Sequence, residues 1–352
     1  MKPWYSQPCP AISNTAQQAA KTRQANLTKP AGSLGELETI AEQFAAWQDT
    51  THPALDNIMI RVFAGDHGVC AQKVSAFPQE VTMQMVMNFL HGGAAISVLS
   101  DAVKADFAVV TMGLTHPLPI TTSPQLIQHD IAKGTADFSQ TSAMTNQQMQ
   151  QALLAGKTVV QSQHHASKPI QLFIGGEMGI GNTTSASAIY AALLNISPID
   201  ASGPGTGVDK AGVLHKANII EQALALHQLK STEDALQKLG GFEIAALVGA
   251  YISAAQQGIP SLVDGFICTA AALIATQLNP SCRDWFMFAH QSAEPAHALA
   301  LNALNAKPLL NIGMRLGEGS GSATAIPLLQ TALTLHNKMA TFEEAAVAGQ
   351  QV

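Results

Sequence analysis

Charge is scarce in this chain: Asp, Glu, Lys and Arg make up 12% of its 352 residues, and Phe, Trp and Tyr only 5%. The net charge is −6, so there is no basic excess to hold a nucleic-acid backbone, and no nucleic-acid partner is expected. A phosphorylated small molecule stays open, because a pocket needs only a few cations and backbone N–H groups to hold it. The four cysteines, Cys9, Cys70, Cys268 and Cys282, are widely spaced with no C-x-x-C pair, which argues against a disulfide framework and a thiolate zinc site. No apolar run is long enough to cross a bilayer; the most apolar, 245–255, ends at Gln256 and Gln257. The first residues, Met1-Lys2-Pro3-Trp4-Tyr5, contain no apolar signal core. A soluble cytoplasmic protein with no membrane partner is expected.

Also missing are a Walker loop, a G-x-G-x-x-G after the first apolar run, a G-x-S-x-G elbow and an H-E-x-x-H pair. Asp66, His67, His116, His290 and His297 are scattered without metal-ligand spacing, so no metal site is expected.

What the chain does have is apolar bulk, 47% of its residues, enough for a large buried core. Short apolar runs at 58–64, 107–112, 170–174, 262–267, 285–289 and 309–312 each lead into a Gly-rich or polar turn. Helical patterns follow at 79–90, 148–163, 183–194, 208–229, 242–256 and 322–336. This rhythm predicts a doubly wound α/β fold: a mostly parallel six-stranded sheet with helices on both faces. Residues 1–50 and 335–352 look helical and fall outside the rhythm, predicting a small helical domain from both chain ends. Residues 51–334 then form the large catalytic domain. The connection 114–142 has little periodicity, and its length predicts a functional or partner-contacting loop.

In such a sheet ligands bind beyond the carboxyl ends of the strands, where the unusual polar clusters fall. Three of them stand out. Gly203-Pro204-Gly205-Thr206-Gly207-Val208-Asp209 precedes a helix that carries Lys216, an arrangement for an anion or for a plain turn. Gly175-Gly176-Glu177-Met178-Gly179-Ile180-Gly181-Asn182-Thr183 sets one carboxylate among four glycines, with Asn182 or Thr183 placed to cap the next helix. Arg315-Leu316-Gly317-Glu318-Gly319 leaves Glu318 without a bulky neighbour. A solvated glutamate on a flexible loop is the plain alternative for each of the last two.

With these segments the chain resembles the nicotinate-nucleotide–dimethylbenzimidazole phosphoribosyltransferase family. The likeness runs through Leu27-Thr28-Lys29-Pro30-Ala31-Gly32-Ser33, Gly65-Asp66-His67-Gly68, Phe77-Pro78-Gln79-Glu80 and His91-Gly92-Gly93-Ala94. It continues through Gly134-Thr135-Ala136-Asp137, Val263-Asp264-Gly265-Phe266 and His290-Gln291-Ser292-Ala293-Glu294, besides the three glycine clusters. The resemblance implies transfer of phosphoribose from nicotinate mononucleotide to 5,6-dimethylbenzimidazole by a homodimer. It implies Glu318 as general base and Glu177 as a second acidic group near the ribose. Gly176, Gly205, Lys216 and Arg315 would hold the phosphate. Ser75, Phe77, Met83, Gln84, Met178 and Leu316 would line the base slot. The scheme needs no metal and no redox cofactor. The competing readings are a dinucleotide-binding oxidoreductase and a non-catalytic binder of nucleotides or bases.

Overall fold

The computed structural model describes residues 3–162, 169–205 and 207–348. Thr206, Gln163 at the end of one predicted helix, the first two residues and 349–352 therefore lie outside the described residues.

In chain order the elements begin with α1 (Asn14–Asn26), α2 (Glu36–Gln48), β1 (Ile58–Gly65), α3 (Glu80–Leu90), α4 (Ala95–Ala102), β2 (Asp106–Gly113) and β3 (Leu126–Gln128). Then come α5 (Asn146–Gln161), β4 (Leu172–Met178), α6 (Asn182–Leu194), α7 (Pro198–Ala201), α8 (Lys210–Leu226), α9 (Thr232–Leu239) and α10 (Phe242–Gln256). The last are β5 (Ser261–Val263), α11 (Phe266–Leu278), β6 (Phe286–His290), α12 (His297–Ala303), β7 (Pro308–Leu310) and α13 (Ser320–Lys338).

The sheet has seven strands in the order β3-β2-β1-β4-β5-β6-β7, and every pairing is parallel. This corrects the six-stranded, mostly parallel expectation. The extra strand, β3, lies on the sheet edge inside the 114–142 connection. Its three residues, Leu126-Ile127-Gln128, are too few to show a period and only partly buried. The run read as a strand over 262–267 is also divided. Asp264 and Gly265 end β5, and Phe266 already opens α11, a helix buried on nearly every face.

β1 is buried along its whole length, as befits a central strand covered on both faces. Its one charge, Arg61, pairs with Asp106 at the start of β2 at 2.5 Å. α5 starts in a capping box, in which Thr145 and Gln148 exchange side-chain and backbone hydrogen bonds. Asp209 caps α8 by accepting from Gly212 N–H at 2.8 Å. α10 is buried nearly all round, Glu243 being its one charge, and packs on α5 so tightly that a Cβ at Gly156 would lie 1.8 Å from the Ala246 carbonyl oxygen.

The two chain ends meet. Leu27 forms an antiparallel bridge with Thr341, and Arg23 Nε donates to the His336 carbonyl at 2.9 Å. From Thr341 to Val347 the chain forms this bridge and turns instead of the helix expected there. Ile40, Phe44 and Trp47 of α2 belong to the same apolar cluster as the sheet.

The chain runs from β1 outward to β3, then returns to the other side of β1 to lay down β4 to β7. β1 and β4 are therefore the topological switch point, where a crevice opens beyond the strand ends.

Candidate active site

A cavity of about 280 Å3 opens at that place. Its wall is built at and beyond the ends of four successive strands: Glu177 to Ile180, Asn182 and Thr183 at β4, Gly265 to Ile267 after β5, His290, Ser292 and Glu294 at β6, and Arg315 to Glu318 after β7. Phe77, from the connection after β1, and Gly205 complete it.

Glu318 stands at the centre of three consecutive left-handed residues: Gly317 at φ 87°, Glu318 at 66° and Gly319 at 85°. Only glycine adopts this region without steric cost, so the turn that launches α13 carries the one side chain that matters here. The carbonyl of Glu318 rests on Gly176 of β4, where a Cβ would come within 2.2 Å of it. A glycine at 176 is thus required for β4 and the turn before α13 to meet. The backbone N–H of Ile96, in the first turn of α4, donates to the Glu318 carboxylate. Its Oε2 is buried and has no partner. Burial pushes the carboxyl up to about 7, with the charge of Asp264 adding to the effect and the Ile96 N–H opposing it.

Glu177 lies alongside. It accepts from the Glu318 N–H and, in a short hydrogen bond, from Asn182 Nδ2. Asn182 therefore does not cap α6; Gly181 occupies that position at φ 95°. Burial holds the Glu177 carboxyl well above the usual range, and Glu243 and Asp264 raise it further. Behind it Glu243 pairs with His67 Nε2 at 2.7 Å, both fully buried. Asp264 braces the other side, taking Ser322 N–H at 2.7 Å and Gly319 N–H at 3.2 Å. Ser292 is fixed by His297, whose Nδ1 accepts its N–H at 2.7 Å. Burial, with His290 nearby, lowers His297 to about 3, so its ring is neutral and Nε2–H donates to Thr269 Oγ1.

The opposite end of the cavity has anion-binding chemistry. Lys216 is almost wholly buried, and its Nζ donates to the Gly203 carbonyl at 3.1 Å and to Thr183 Oγ1 at 3.4 Å. Burial lowers this ammonium to about 8, against the attraction of Glu294. Arg315 is exposed at the rim.

The model of the phosphoribosyltransferase family DBI_PRT matches residues 9–347. The chain belongs to this phosphoribosyltransferase family. Among its relatives, the nicotinate-nucleotide–dimethylbenzimidazole phosphoribosyltransferase of Pseudomonas putida is 54% identical, with 98% of each chain covered. The Pseudomonas fluorescens protein of the same name is 54% identical over 348 residues, again with 98% of each chain covered. A solved structure of the nicotinate-nucleotide–dimethylbenzimidazole phosphoribosyltransferase from Thermus thermophilus superposes with a TM-score of 0.90 at 39% identity. It covers 96% of this chain and 100% of its own.

In this phosphoribosyltransferase the residues singled out from sequence divide into two groups. Glu318, Glu177, Gly205, Arg315, Phe77, Met178 and Leu316 line the cavity. Gly176 lies beneath it, in the ladder opposite Val62, and Lys216 sits behind Thr183 and Gly203. Ser75, Met83 and Gln84 do not line it: Ser75 Oγ caps the Phe77 N–H at 3.1 Å, and the other two sit on α3. The sequence offered Asn182 and Thr183 only as helix caps and His290 only as a scattered metal-ligand candidate, and it singled out none of Phe266, Ile267, Ser292 and Glu294 by itself. Their shared signal is position, since most follow directly on a strand end. Glu243 carried a different one, a lone acid at the start of an otherwise apolar helix.

Proposed function

We propose that this chain transfers the 5-phosphoribosyl group of nicotinate mononucleotide to 5,6-dimethylbenzimidazole, giving α-ribazole 5′-phosphate and nicotinate in the assembly of cobalamin. Glu318 is the general base. The observation that carries this reading is the state of its carboxylate: Ile96 N–H donates to it, while its Oε2 is buried without a partner in the wall of the cavity. Family membership supplies the reaction class, and the relatives' names supply the substrates.

The chemistry follows from charge. The nicotinate ring leaves C1′ with the electron pair of the breaking C–N bond and becomes neutral, so it needs no acid. A benzimidazole nitrogen forms the new bond from the opposite face, which inverts β to α. The base thereby gains a positive charge, removed when its second nitrogen gives its proton to Glu318. A carboxyl near 7 is matched to that task at neutral pH. Glu177 holds a ribose hydroxyl beside C1′. Lys216, Arg315 and Gly205 hold the phosphate. Phe77, Met178 and Leu316 flank the base, the first and last being 51% and 58% exposed at the mouth.

We also place the enzyme in the cytoplasm, where its four free thiols stay reduced, and infer that it works as a homodimer.

Steady-state kinetics of Glu318→Gln test the base assignment. Because the proton moves as charge develops, the loss should fall on kcat, by roughly 10²–10⁴-fold, more than on either KM. Wild-type kcat should fall as pH drops through about 7, where the carboxylate is protonated, and the variant should lose that limb. A variant within threefold of wild type when chemistry limits the rate would move the base elsewhere.

A further inference from the structure

The phosphate end of the cavity already holds an anion of the protein's own. Gly205 N–H, one of the donors assigned to the phosphate, donates instead to Glu294 Oε1 at 3.0 Å. Glu294 is buried, and its Oε2 has no hydrogen-bond partner. That oxygen sits so close to Gly203 that a Cβ there would stand 1.9 Å from it. The cations acting on this carboxylate are Lys216 and Arg315, the same two assigned to the nucleotide phosphate. Lys216 Nζ is itself within 3.0 Å of where a Cβ on Gly205 would be. The Gly205 amide and Lys216 lie side by side, and both cations act on Glu294 through their charge without pairing with it, so a carboxylate and a phosphate placed at this amide repel each other.

We propose that Glu294 is a latch on the phosphate subsite: its carboxylate fills the cradle of Gly205, Lys216 and Arg315 while the site is empty and yields it when a phosphate arrives. The inference rests on the nucleotide reading above and adds to it the residue that sets how tightly the nucleotide is held.

The alternative is a permanent brace for Gly203 and Gly205, and the same site shows what a brace looks like. Asp264 is more deeply buried, and each of its oxygens takes a backbone N–H. Glu294 takes only one, at Oε1, which leaves its Oε2 with none. Burial raises its carboxyl, a sign that the charged form is poorly compensated despite Lys216, Gly205 and Arg315. A phosphate monoester brings nearly twice the charge and three acceptor oxygens, so it can engage the amide and both cations together. Glu294 lies in the short connection between β6 and α12, outside both elements. Because product and substrate carry the same phosphate, a returning latch also favours release.

Calorimetric titration of inorganic phosphate into the full chain tests the latch directly, in wild type, Glu294→Gln and Glu294→Asp. Glutamine keeps the length and an acceptor for Gly205 but removes the charge; aspartate withdraws the charge by one methylene. Both variants should bind phosphate about tenfold tighter or more, since a like charge is removed from the subsite in one and drawn back from it in the other, and nucleotide KM should fall in parallel. Equal or weaker phosphate binding, in a variant that melts as cooperatively as wild type, overturns the latch and makes Glu294 a brace or a ligand. Failure of both variants to fold overturns it too, because only a brace is needed for folding. The substrate reading is judged separately, by nicotinate release from nicotinate mononucleotide and dimethylbenzimidazole with wild-type enzyme. No release, alongside tighter phosphate binding in the variants, would sink that reading and leave the latch standing.

Discussion

Glu318 is held at a cost. Its backbone lies in the left-handed region and its carboxylate is withdrawn from water with one oxygen unpaired. The folded carboxyl titrates near 7, above the ordinary glutamate value, so on raising the pH the unfolded chain gives up this proton first. Below the ordinary range both states are protonated and the group costs nothing. Between that range and about 7 the folded state binds the extra proton and stability falls; above about 7 the whole penalty is in place. Glu318→Gln should therefore stabilise the empty enzyme at pH 8 by roughly 1–3 kcal/mol, and the gain should vanish near pH 4. Thermal melts at the two pH values check this. A variant no more stable than wild type at pH 8 would mean that the buried charge is compensated by contacts other than Ile96. The same substitution is expected to cripple turnover, so this residue would be tuned for chemistry at the expense of the fold.

At the scale of elements, the α5–α10 contact shows how an apolar sequence sets geometry. Gly156 lets the two helix backbones touch, and any side chain there would collide with the Ala246 carbonyl. Gly156→Leu should separate the helices and destabilise the protein by about 3 kcal/mol or more, or prevent folding. Chemical denaturation gives the figure, and a loss under about 1 kcal/mol would show that the pair can slide apart. Long elements were legible in the sequence for this kind of reason. β1 and β2 announce themselves as mostly apolar runs, interrupted only by Arg61 in the first and by Asp106 and Thr111 in the second, and each closes at a glycine. β3 did not, because a three-residue edge strand has no period; nor did the start of α11, because a helix apolar on every face reads like a buried strand. At the site, the glycine-flanked acids were visible because glycine on both sides of a charge is locally unusual. Asn182, Ser292 and the Asp264 brace were not, because what they do depends on partners that local sequence does not reveal.

On the scale of the whole molecule, no helix among the described residues is long and apolar enough to cross a membrane. Apolar side chains do reach the surface, however. Ile199 and Leu214 are 44% and 56% exposed, and with Pro204, Val208 and Val213 they line a depression beside the phosphate-end turn. Such a patch fits the homodimer inferred above. Sedimentation at micromolar concentration should give about twice the 36.8 kDa of one chain, and a fully active monomer would end that inference. The strand order has a consequence for the making of the protein. β1 can pair with β2 early, but its other edge waits for β4, with Ile58 meeting Leu172 and Ala64 meeting Met178. At about 5–20 residues per second, β4 is made on the order of ten seconds after β1. Throughout that interval the nascent chain presents the open edge of a strand buried along its whole length in the finished fold, the surface on which stray chains add. A ribosome stalled between the two strands would thus release a fragment primed to aggregate, while one that passes β4 closes the edge and the crevice in the same step.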